Sequence, residues 1–190
     1  MIIFSQMKRR ATSAKALLVG LALSIASALL LAPVSLRAEI TRPDMLVAGR
    51  AIGFIDKLGS GDVRVGIVFA PESAPSLQQA NEIRDLLGSQ FRVGNHVLRP
   101  VMVRADQVNN AGVDLFLLTE GADIAASSVA ASSRARKIPC ITFDLAQERN
   151  GACVIGVQTR PRIEILFNRK AAAESGTNLS SVFRLMITEN

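Results

Sequence analysis

The chain has 190 residues, with 22 basic and 16 acidic side chains, one histidine, two cysteines and eight phenylalanines but neither tryptophan nor tyrosine. Sites for sugars and single-stranded nucleic acids rest on aromatic stacking platforms, so this composition speaks against both. Five of the 22 basic residues and none of the 16 acidic ones fall in residues 1–38, which leaves 17 against 16 in the rest, a net charge of +1; without a basic footprint on the folded part, nucleic-acid binding is not expected.

Residues 1–38 read as a secretory leader. Met1 to Lys15 carries Lys8, Arg9, Arg10 and Lys15 and no acid, Ala16 to Ala32 is an unbroken apolar run, and PVSLRA ends on the small residue Ala38. A spanning helix needs about 20 apolar residues, so this run is short for one; cleavage after Ala38 and export to the periplasm are expected, with an uncleaved anchor as the alternative. Residues 39–190 are then one domain, long enough to bury roughly 70% of its unfolded surface.

Thr41-Arg-Pro-Asp44 has the order of a helix start, and MLVAGRAIGFIDKLG after it places Val47, Ala51, Phe54 and Leu58 on one face, joined by Ile55 and Ala48, with Gly59 as the end. GSGD is a turn, and its glycines lack phosphate-loop spacing. Val63 to Ala70 is a β-branched apolar run, expected as a strand covered on both faces. Ser76 is expected to cap a second helix, with Gln79 at capping-box spacing and Leu77, Ala80, Ile83 and Leu87 inward, ending at Gly88. His96 to Ala105 reads as a strand, and Pro100 places it at an edge or a bulge. Val113 to Glu120 is a buried strand, followed by an Ala/Ser-rich helix ending in the solvated run RARK (Arg134 to Lys137), and Ile138 to Asp144 is the next strand. CVIGVQ and IEILFN around TRPR form a hairpin, with Ile163, Ile165 and Phe167 alternating against Glu164 and Asn168. KAAAESG and LSSVFRLMI close the chain as short helices. The predicted fold is α/β: one three-layer-like domain, mainly parallel in its sheet, with a C-terminal antiparallel hairpin and short C-terminal helices.

The two cysteines, Cys140 and Cys153, have twelve residues between them, a spacing that fits neither C-x-x-C chemistry nor a zinc site. In an oxidising compartment such a pair most often forms a structural disulfide, whose loop closure contributes about 3 kcal/mol in the chain-entropy model. Two buried free thiols and a redox-sensing bond are the alternatives. No nucleophile elbow, no H-E-x-x-H and no metal-loop spacing is present, and His96, the lone histidine, reads as structural or exposed, so neither catalytic residue nor metal nor cofactor is expected. A ligand pocket, if there is one, belongs at the carboxyl ends of the parallel strands, where Thr119, Glu120 and Gly121 end one strand and Asp144 ends its neighbour; caps and turns are the competing role for the same four residues.

The segment GACVIGVQTRPRIEILFNRKAAAESGTNLSSVFRLM resembles the C-terminal signature of the YfiR/HmsC-like family of small periplasmic regulators. The matching parts are Gly151, Ile165 to Asn168, Ala171 to Ala173, Gly176, Ser180-Ser181 and Leu185, and upstream RAIGFIDKL, VRVGIVFA, VDLFLLTEG and IPCITFD follow the family's order of helix and strands. The resemblance implies a non-enzymatic repressor that acts on the periplasmic sensor part of a membrane-bound diguanylate cyclase and restrains cyclic-di-GMP synthesis and biofilm output. Disulfides and homodimers recur in that family. A periplasmic small-molecule binding or sensing protein is the alternative reading.

Overall fold

Strands alternate with helices through the computed structural model, which describes residues 39–189. The leader and its cleavage after Ala38 lie outside those residues. The first helix, α1 (Arg42–Gly53), starts as the sequence predicts: Thr41 donates to the Asp44 carboxylate from both its backbone N–H and its hydroxyl, at 2.6 Å each, and Pro43 sits in the first turn where no backbone donor is needed. The buried face is the expected one in part: Ala48, Ala51 and Ile55 are buried as predicted. Met45, Ala48, Gly49, Ala51 and Ile52 face the core, while Val47, Phe54 and Leu58 are only partly buried. The reason is the helix end: α1 stops at Gly53, and 56–58 form a separate 3₁₀ turn positioned by the bridge between Ile55 and Leu179.

Eight strands follow: β1 (Gly61–Phe69), β2 (Phe91–Val93), β3 (His96–Arg104), β4 (Leu115–Leu118), β5 (Cys140–Thr142), β6 (Ile155–Gln158), β7 (Glu164–Phe167) and β8 (Thr188–Glu189). They form one sheet in the order β2-β3-β1-β4-β5-β6-β7-β8. The run β3-β1-β4-β5-β6 is parallel, β2 is antiparallel to β3, and β6 with β7 makes the expected antiparallel hairpin. Between the strands lie α2 (Ala74–Leu87), α3 (Asp123–Arg136), α4 (Leu145–Arg149), α5 (Arg169–Ser175) and α6 (Ser181–Arg184).

Strand periodicity divides the core between the two faces. Val63, Val65, Ile67, Leu115 and Leu117 point to the side covered by α1, α2, α5 and α6, and Val68, Phe116 and Leu118 point to the side covered by α3. Both faces are thus dry, which is why β1 and β4 read as continuous apolar runs. Ala125 and Val129 bring α3 onto the second face, as its small residues predict.

Several elements depart from the expectation. The cap of α2 is Ser73, one turn before Ser76, because Pro75 is accepted inside the first turn; Ser76 and Gln79 are consequently buried and Leu77 is partly exposed. β2 was not expected, and it covers β3 only from His96 to Leu98, so Pro100 does lie on open sheet edge. The loop between the cysteines contains α4, capped by the Asp144 carboxylate on Ala146 N–H at 2.8 Å. The last apolar stretch is one helical turn followed by β8, parallel to β7, rather than a helix throughout; Phe183 is buried, but Leu185 points to solvent. The RARK run is a helix end, though not merely solvated: Arg134 pairs with Glu174 at 2.5 Å, and Arg136 donates to the carbonyls of Val108, Asn109 and Ala111.

Candidate functional site

The chain crosses from β1 outward to β3 and then returns to place β4 on the other side of β1, so the topological switch point lies between the carboxyl ends of β1 and β4. The sheet register brings Thr119, Glu120 and Gly121 to that end, with Asp144 beside them after β5. Thr119 is the one of the four whose side chain is turned fully inward. Thr119, fully buried, donates its hydroxyl to the carbonyl of Val68 at 2.9 Å; the Ser76 hydroxyl, 2.7 Å away, donates to it and accepts from Ala70 N–H at 3.0 Å. Glu120 N–H donates to Gln79 Oε1 at 2.7 Å. Gln147 donates to the Thr119 carbonyl at 3.1 Å and accepts from Thr142 at 2.7 Å. Gly121 takes φ of +70°, and a Cβ there would stand 3.0 Å from the Ser73 hydroxyl. In this arrangement Thr119 serves as a hydrogen-bonded knot between β1, β4 and α2, and Asp144 as the cap of α4.

Cys140 and Cys153 are bonded to each other, with Cα atoms 4.6 Å apart. Cys140 opens β5 and Cys153 stands just before β6, where Val154 N–H also donates to the Cys140 carbonyl at 3.0 Å. The bond closes the crossover through α4. Both residues are buried in the α3 face of the core, so a thiolate reaches either sulfur only after that end of the sheet opens.

A second tie, which the sequence reading did not find, is centred on Asp44. Besides Thr41, its buried carboxylate accepts from the Thr159 hydroxyl and from Arg160 Nη2 at 3.2 Å, and Arg160 also reaches the Glu39 carbonyl at 2.7 Å. Burial acts to raise this carboxyl, but the hydrogen bonds from Thr159 and Thr41 and the Arg160 charge outweigh it and hold it below its ordinary range. The start of α1 is thereby fastened to the turn of the β6–β7 hairpin.

At the opposite end of the sheet from the switch point lies a two-lobed cleft. The larger lobe, about 460 Å³, is lined by Arg50, Gly53, Phe54, Val93, Asn95 and His96. The smaller, about 340 Å³, shares Gly53, Phe54, Asn95 and His96 and adds Asp56, Ser60 and Ser180. The Phe54 ring stacks on Phe183 of α6, centroids 4.4 Å apart. His96 is only 7% exposed, and its Nδ1, like the Ser180 hydroxyl oxygen, is buried without a hydrogen-bond partner. Buried polar groups are rarely left so. The signal missed in the sequence was the turn Val93-Gly94-Asn95-His96, with Gly94 at φ of +54°, which makes the β2–β3 hairpin and swings Asn95 and His96 toward α1.

No protein-family model matches the sequence, and neither does any curated protein. Among solved structures, the chain is similar to a conserved domain protein from Vibrio cholerae O1 biovar El Tor, at 10% identity and a TM-score of 0.55 over 80% of this chain. The chain spans 61% of the length of that protein, and the likeness is one of fold. A ligand-free, open substrate binding protein with adhesive properties from Clostridium difficile is more distant, with 13% identity, a TM-score of 0.44, and 67% of this chain and 54% of that one covered.

Proposed function

We propose that this protein is a non-enzymatic periplasmic regulator that binds the periplasmic sensor part of a membrane diguanylate cyclase and restrains cyclic-di-GMP synthesis. The observation that carries the reading is the last helix. Val182 of α6 and Leu185 and Met186 of the turn that follows it are 66%, 88% and 65% exposed, so this short stretch presents three apolar side chains to solvent while Phe183 anchors it to the core. Single exposed hydrophobes are ordinary, but three within five residues offer a partner an apolar surface. This face lies within the segment that resembles the YfiR/HmsC-like signature. The disulfide fits an oxidising compartment.

A regulator of this kind acts by binding the inactive state of its receptor more tightly than the active one, and it shifts the equilibrium only by that difference. Deleting the protein should raise cellular cyclic-di-GMP, and Leu185→Ser should do the same while leaving the melting temperature unchanged, since the side chain buries nothing at home. Unchanged cyclic-di-GMP in both strains, with no capture of a cyclase periplasmic domain by the purified protein, would sink the reading. The alternative, a small-molecule binding protein, is favoured by the cleft around His96.

A further inference from the structure

We infer that the cleft between the end of α1 and the β2–β3 turn is a binding site for a small organic carboxylate with an apolar body. Three features of its construction point there. Gly53 ends α1 without a side chain, and a Cβ at that position would touch only His96 Cδ2, at 3.9 Å, so the backbone leaves the space open where a longer residue would fill it. Phe54 and Val93 supply an apolar wall, and Phe54 is held rigid by its stack on Phe183. His96 and Ser180 bring two buried polar atoms that have no hydrogen-bond partner among the described residues. A buried polar atom left so carries its desolvation penalty uncompensated, which a ligand group could relieve. A half-turn of the imidazole exchanges Nδ1 with Cδ2, the atom facing Gly53, and presents the unpartnered nitrogen to the cleft.

Charge selects the ligand class. The larger lobe has one charged residue, Arg50, and among the described residues no carboxylate pairs with it. Its guanidinium offers planar, bidentate donors matched to a carboxylate. Asp56 stands in the smaller lobe and repels an anion there, so the carboxylate belongs at the Arg50 end and the neutral, hydrogen-bonding part of the ligand at Ser60 and Ser180. The lobe's volume falls within the range of small-ligand sites and accommodates a single-ring acid. The test of this site needs no partner protein, so its outcome is independent of the proposed regulation of a cyclase.

Phenylacetate, its neutral amide and phenethylamine can be titrated into the purified protein by calorimetry, with amide NMR shifts recorded in parallel. Phenylacetate should bind at least tenfold more tightly than the amide or the amine and shift Phe54, Asn95 and His96. Arg50→Gln should weaken it at least tenfold, and Gly53→Leu should abolish it by filling the cleft, both with an unchanged melting temperature. Arg162→Gln, on the far hairpin turn, should bind as wild type does. Absence of binding by phenylacetate, equal or tighter binding of the amine, or full binding by Gly53→Leu would each overturn the assignment.

Discussion

Replacing Asp44 tests the tie between α1 and the β6–β7 hairpin. In Asp44→Ala the Thr41 capping box is lost, at about 1 kcal/mol, and the Thr159 hydroxyl loses a charged acceptor, at about 1.5–3 kcal/mol. Arg160 is half exposed and returns to water, so its pairing adds only about 0–1 kcal/mol. The expected loss is about 2.5–5 kcal/mol, or about 5–20 °C in melting temperature for a domain of this size. Asp44→Asn, which keeps one oxygen and the shape, should lose about half. The sign with pH follows from the lowered carboxyl. Above the ordinary aspartate value of 3.8 both folded and unfolded carboxyls are ionised and the contribution is complete. As pH falls below that value the unfolded state takes up its proton first, and the contribution disappears as pH drops through the lower folded value. Urea unfolding of wild type and Asp44→Asn at pH 7 and below pH 3 should therefore show a gap that closes in acid. A gap equally large at both, or below about 0.5 kcal/mol at pH 7, would refute the reasoning.

Removing the disulfide with Cys140→Ala and Cys153→Ala together should cost about 3 kcal/mol in non-reducing urea melts, the loop-closure contribution for this separation. In wild type, alkylation after mild reductant should stay slow until denaturant opens the β5–β6 end, because both cysteines are buried; rapid labelling of the native protein would support a redox-sensing bond instead. Gly156→Ala should destabilise by about 1–3 kcal/mol, since its Cβ would lie 2.9 Å from Glu148 Cβ and 3.0 Å from Leu145 Cδ2 and push α4 off the sheet. Gly112→Ala, whose Cβ would meet only Arg64 Nη1 at 3.5 Å, should stay within about 0.5 kcal/mol by the same melts.

Local pattern carried what depends on one segment at a time. The capping box at Thr41 and Asp44, the apolar runs of β1 and β4, the turn glycines and the hairpin at TRPR are all satisfied by residues a few positions apart, so the α/β class and the parallel sheet with an antiparallel hairpin were legible. The Cys140–Cys153 pairing was legible for a different reason, there being no third cysteine. Where a segment's outcome depended on a distant one, the pattern misled. Leu77 looked like core and Ser76 and Gln79 like a cap and its capping-box partner, but the switch point places the polar residues against Thr119 and Glu120 just after β4, which gives them partners that no local spacing encodes. Leu185 looked like the inward side of a helix, but β8 pairs with β7 and ends that helix after one turn. The cleft shows the same division most fully. Arg50 and Phe54, Asn95 and His96, and Ser180 come from three separate parts of the chain, and what joins them is the strand order and the Phe54–Phe183 stack. Side-chain periodicity tells each segment which face to bury; which other segment it is buried against is settled only when all the elements compete for the same two faces of the sheet.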